Sequence, residues 1–110
     1  MTYPFIFYTS FGVKMAAATR GPFIFIRPEY KGDIGLREHE LTHVKQWFAS
    51  LGLHSFLYLF SKQYRLWSEV QAYKVQLKFS PGREALFAGF IANRYGLDIS
   101  QEEALRLLYE

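Results

Sequence analysis

The stretch GDIGLREHELTHVKQWF, residues 32–48, contains five residues that can do chemistry together: HELTH. On a helix, positions four apart lie one turn above each other on the same face. His39 and His43 then project in parallel and can bind one metal ion through their ring nitrogens. Glu40 sits about 100° around the helix from His39. It is poorly placed to share the ion's ligand shell, but it reaches a water on the ion's open side. Two ligands and one base are the chemical content of an HExxH motif.

Two histidines do not complete a catalytic zinc site, which ordinarily has three protein ligands and one water. The chain has no cysteine, so thiolate ligands and disulfides are both excluded. The third ligand is therefore His54 or a carboxylate. His54 lies in an apolar run, LGLHSFLYLF, where a histidine is ordinarily part of the core. Glu69, in LWSEVQAYKVQL, is the better choice, because it is the only acidic residue between Glu40 and Glu84. Its alternative role is a charge paired with Arg65. Ala72, one turn on, is small enough to let two helices approach. Tyr73, at i+4 from Glu69, is placed either to hydrogen-bond a ligand or a substrate carbonyl, or simply to pack in the core. Ligation by two histidines and a glutamate favours zinc.

The elements that must position these groups follow from the flanking pattern. TYPFIFYTSFGVK and PFIFIRP are rich in aromatic and β-branched residues. They predict a hairpin or a pair of neighbouring strands over 3–14 and 22–27, with KMAAATRG as the connection and Gly21-Pro22 as punctuation. Asp33 is a helix cap, and the helix it opens runs to about Ser50. Ile34, Leu41, Val44 and Phe48 form its apolar stripe. Residues 51–60 read as a buried segment, with a peripheral membrane or protein contact as the alternative, because Lys62 and Arg65 follow. Further helices are expected over 61–79, 82–95 and 100–109, the last capped by Ser100 with Glu103 three residues on. Strands first and helices after make an α+β domain.

The composition bounds the rest. The 110 residues suit one domain, 1–110, and at 50% hydrophobic they can bury a core. The net charge of +3 is spread along the chain with no basic run, so no nucleic-acid partner is expected. MTYPFIFYTSFG has neither the basic start nor the cleavage site of a secretory signal, and a cytoplasmic protein is expected.

HELTH on one helix, followed by a glutamate in the context SEVQAY on a second, resembles the gluzincin branch of zinc metallopeptidases. The small size is similar to the minimal single-domain members, the minigluzincins. The metzincin pattern is excluded, since its glycine and third histidine positions hold Gln46 and Ala49. The resemblance spans residues 22–79. It implies a zincin-like fold with one Zn2+ held by His39, His43 and Glu69, and Glu40 as general base. It implies hydrolysis of a peptide or protein substrate by a water that the metal acidifies, Glu40 passing the proton to the leaving amine. It also implies that PFIFIRP is the edge strand along which the peptide lies. Larger members of the branch carry an acidic residue where this chain has Tyr73. They also stabilise the oxyanion with a downstream His or Tyr. Tyr73 is the preferred equivalent here, with Arg94 and Tyr95 after it.

Overall fold

A computed structural model describes residues 3–110. Three strands come first, β1 (Ile6–Tyr8), β2 (Ala17–Arg20) and β3 (Phe23–Ile26), and then five α-helices among the described residues. These are α1 (Ile34–Ala49), α2 (His54–Phe60), α3 (Lys62–Phe79), α4 (Glu84–Arg94) and α5 (Gln101–Tyr109), with one turn of 3-10 helix at Pro28–Tyr30 before α1. The layout is the expected α+β.

The sheet differs from the expectation in one strand. Its order is β1-β3-β2, with β1 parallel and β2 antiparallel to β3. The two aromatic segments are indeed neighbours, but the hairpin partner of β3 is AATR, within the stretch read as a connection. Gly21-Pro22 makes the two-residue loop, and Gly21 takes the left-handed backbone (φ 60) that a tight hairpin requires. Consequently β3 is the central strand. The edge strand beside the site is β2, and the expectation that PFIFIRP lies at the edge is corrected.

Both predicted helix caps, Asp33 and Ser100, are in place, and Ser61 caps α3 as well. The side chain of Asp33 accepts from the Leu36 amide, Ser61 from Tyr64 and Ser100 from Glu103. Each satisfies an amide that the first turn leaves without an intrahelical partner. α1 and α3 run antiparallel and pack closely. Gly35 makes this possible at one end: a Cβ there would stand 3.2 Å from Ser80 Oγ and 3.3 Å from Gln76 Cγ. One core cluster joins the sheet to α1 through Ala17, Ile24, Ile26 and Val44. A second joins α3 to α4 and α5 through Val70, Tyr73, Phe87, Ala88 and Ile91, among others.

Two burial expectations are corrected. Ile34 and Phe48 are exposed, and α1 instead buries Gly35, His39, Glu40, His43, Val44 and Gln46. Its inward face is mostly polar. In residues 51–60 the only buried side chain is that of His54, while Leu51, Leu53, Phe56, Leu59 and Phe60 stand in solvent. Among the described residues no helix is long and apolar enough to cross a membrane.

Candidate metal centre

α1 supplies His39, Glu40 and His43, and α3 supplies Glu69; all four are buried. His39 Nε2 lies 3.2 Å from Glu69 Oε1, and His43 Nε2 lies 3.3 Å from Glu69 Oε2. One atom from each of the three residues falls within 4.8 Å of the other two. A tetrahedral ion with bonds of about 2.0–2.1 Å sets its ligands about 3.3 Å apart. Each imidazole thus lies at that spacing from one carboxylate oxygen, His39 from Oε1 and His43 from Oε2. No aligned donor reaches Glu69 Oε1 despite its proximity to His39, and among the described residues it has no hydrogen-bond partner. A buried carboxylate oxygen left in that state is costly. A cation between the three groups removes the cost, so the residues present fit the ion.

The surrounding bonds orient the candidate ligands. Gln46 Oε1 and Ser68 Oγ each lie 3.1 Å from His43 Nδ1, and Ser68 donates to Gln46 at 2.6 Å. An amide oxygen accepts only, so it favours a proton on Nδ1 and leaves Nε2, which faces Glu69, as the nitrogen that takes up a proton or an ion. Tyr58 donates its hydroxyl to Glu69 Oε2 from α2. Thr19, on β2, donates to Glu40 Oε1 at 2.8 Å. The other oxygen, Oε2, lies 3.7 Å from His39 Nε2. Glu40 thus stands beside the three-residue cluster without joining it.

The electrostatics are those of a metal-free site. Burial opposes the charge on His43, but the Glu69 carboxylate outweighs it and raises His43 to about 9. Burial pushes Glu69 up, but His43 and His39 outweigh it and hold Glu69 well below the carboxylate range. His54 is lowered to about 4 by burial and by the neighbouring His43. The hydroxyls of Tyr58, Tyr73 and Tyr95 are raised above the tyrosine range by burial, with the negative Glu69 adding to it.

The open side of the cluster faces a cavity of about 410 Å³. β2 and Met15 form one wall, and Ser55, Tyr58 and Leu59 of α2 another; Tyr95 also contributes. Tyr73 lies behind the cluster, with its ring edge-on to His39 at 4.3 Å and its hydroxyl 2.7 Å from that of Tyr95. It borders an adjoining cavity with Tyr95 and Arg94. Arg94 itself stacks on Phe90. His54 lines the main cavity, but its Nδ1 is 2.7 Å from the Tyr64 hydroxyl, and it stands outside the three-residue cluster. Arg65 does not pair with Glu69; it donates to the carbonyls of Tyr58 and Leu59 at the end of α2.

Sequence reasoning missed Tyr58, Thr19, Gln46 and Ser68. Gln46 and Ser68 had a readable signal, being three residues after His43 and one before Glu69. Tyr58 and Thr19 had none, because each lies on an element that the pattern did not define. Compared with protein-family models, with curated proteins and with solved structures, the chain finds no match.

Proposed function

We propose that the chain is a zinc-dependent peptidase, with His39, His43 and Glu69 holding one Zn2+ and Glu40 as general base. The observation that carries this reading is the separation of roles around one cavity. Three buried groups converge at ligand spacing, and a fourth carboxylate stands beside them, bonded on one oxygen only. A zinc ion on three protein ligands supplies a water that is acidic near neutral pH and polarises a carbonyl.

The chain's own groups do the rest. Glu40 Oε2 accepts the proton of the attacking water, and the carboxyl returns it to the leaving amine nitrogen. Thr19 holds the opposite oxygen, so the carboxylate does not rotate away. Tyr95 lines the cavity and its hydroxyl is paired with that of Tyr73, so these two hydroxyls are the candidates to stabilise an oxyanion. β2 pairs on one side only, and its residues line the cavity. An extended peptide adds to that free edge as a further strand.

The experiment is elemental analysis of the purified protein beside a peptide-library digest, with Glu69→Ala and Glu40→Gln as variants. About one zinc per chain is expected in the parent and in Glu40→Gln, and much less in Glu69→Ala. Cleavage by the parent that Glu40→Gln abolishes supports the peptidase. Cleavage that survives Glu40→Gln means that Glu40 is not the base. Zinc without any cleavage leaves an ion that ties α1 to α3.

A further inference from the structure

The two candidate histidine ligands are not equally furnished. His43 has Gln46 and Ser68 at its Nδ1. His39 Nδ1 is buried and meets no hydrogen-bond partner among the described residues. Its other nitrogen, Nε2, lies 3.2 Å from Glu69 Oε1 and is the one that takes the ion in the proposed centre. A neutral imidazole then carries its single proton on Nδ1, as a donor. Metal-binding histidines almost always give that N–H to an acceptor, which fixes the ring.

A second orphaned atom lies nearby, and it is an acceptor. Gln76, on α3, is 8% exposed, and its Oε1 is buried with no partner among the described residues. Contacts on both sides locate the side chain. Gln76 lies one turn beyond Tyr73, whose ring stands edge-on to that of His39. Its Cγ is 3.3 Å from where a Cβ on Gly35 would stand, and Gly35 lies one turn before His39 on α1. The absence of a side chain at Gly35 therefore admits Gln76 to the face of α1 that carries His39. Both residues border the cavity of about 260 Å³ that adjoins the main one.

The other polar side chains of this cavity are spent or face solvent. The hydroxyls of Tyr73 and Tyr95 bond each other. Asp33 caps α1, and Glu40 is held by Thr19 on the Nε2 side of His39. Tyr30, Arg83 and Arg94 are exposed, and a guanidinium donates only. His39 Nδ1 and Gln76 Oε1 make no direct bond with each other. A buried water needs about 30 Å³ and at least two polar partners, and the cavity provides both.

We propose that Gln76 is the positioning residue of His39. Nδ1–H donates to one water held in this cavity, and the water donates to Gln76 Oε1. The ring is thereby fixed with Nε2 toward Glu69. Each helix then supplies one glutamine to the centre, Gln46 of α1 for His43 and Gln76 of α3 for His39. The effect on zinc rests on the metal reading above; the bonds themselves do not.

The test compares the parent with Gln76→Leu, which keeps bulk and removes the acceptor, and Gln76→Glu, which keeps an acceptor. Zinc affinity is read by competition with a chelator, and the His39 Nδ1 proton by long-range proton–nitrogen NMR. Gln76→Leu should lower the affinity at least about tenfold. It should also shift or abolish the His39 Nδ1–H signal while that of His43 stays in place. Gln76→Glu should retain both the affinity and the signal. A His39 signal unmoved in Gln76→Leu overturns the proposal, whatever the affinity. Equal losses in the two variants mean that Gln76 only packs, and they overturn it too. A parent that takes up no zinc sinks the metal reading alone. The metal-free spectra then decide: a signal lost in Gln76→Leu and kept in Gln76→Glu upholds the bond, and any other pattern overturns it.

Discussion

Tyr58 rests its hydroxyl on Oε2 of Glu69, the same carboxylate oxygen that lies 3.3 Å from His43 Nε2. The third candidate ligand is therefore held from a different helix than the one that carries it. Outer bonds of this kind typically change metal affinity about 10–100-fold. Tyr58→Phe keeps the ring and removes the donor. Zinc affinity should fall by about that factor, with the circular dichroism spectrum unchanged, as read by competition with a chromogenic chelator. An unchanged affinity would mean that the hydroxyl is incidental.

Gln46 and Ser68 both face His43 Nδ1. Losing either one leaves the other oxygen to accept. Gln46→Leu and Ser68→Ala should each weaken zinc binding modestly, and together by more than the product of the two effects. The double variant also leaves a buried N–H without an acceptor, at about 1–3 kcal/mol of stability. Calorimetric titration and urea melts of the four proteins check both statements; strictly multiplicative effects count against a shared role.

The pH dependence follows from His43. In the metal-free chain its value, about 9, exceeds the ordinary 6.5. The His43–Glu69 pair thus stabilises that state fully below about 6.5 and loses its contribution as pH rises through about 9. Glu69 has the opposite sign: its contribution is present above 4.5 and is lost as pH falls through its depressed value. Zinc must displace the proton on His43, so its affinity should rise about tenfold per pH unit up to about 9. Titrations at several pH values test this, and a flat profile sinks it. Thermal melts in chelator should fall between pH 6.5 and 9.

Thr19 reaches Glu40 across the gap between β2 and α1. Thr19→Val keeps the shape and the strand preference but removes the bond. Under the proposed reaction, zinc content and melting temperature should hold while kcat falls about tenfold, roughly one hydrogen bond's worth. Thr19→Ser should restore it. A Thr19→Val enzyme with full kcat and an unaltered pH profile denies the strand any part in holding the base.

The helices were legible because their ends carry local chemistry: Asp33 and Ser100 each bond an amide three residues on, as does Ser61, which the pattern did not single out. HELTH was legible because a helix converts spacing into direction, and Glu69 because the intervening sequence offers no competing carboxylate. β2 was not legible. Ala17-Ala18-Thr19-Arg20 has little strand preference and becomes a strand by pairing with FIFI across a Gly-Pro loop. The inward face of α1 was misjudged through Ile34 and Phe48, because the polar site residues occupy the buried side that an apolar stripe usually marks. The same inversion hid α2. An apolar run signals core on average, and here its two polar members face inward while the apolar ones face out.

That inversion makes α2 a lever. It is about two turns long, too short to hold its shape alone, and Arg65 clamps its C-terminal carbonyls. One arm ends at Phe56 and Phe60 in solvent; the other ends at Tyr58 on Glu69. The two arms leave the same two turns of helix on opposite sides. The same seven residues thus carry both an apolar face in solvent and a bond to the candidate third ligand.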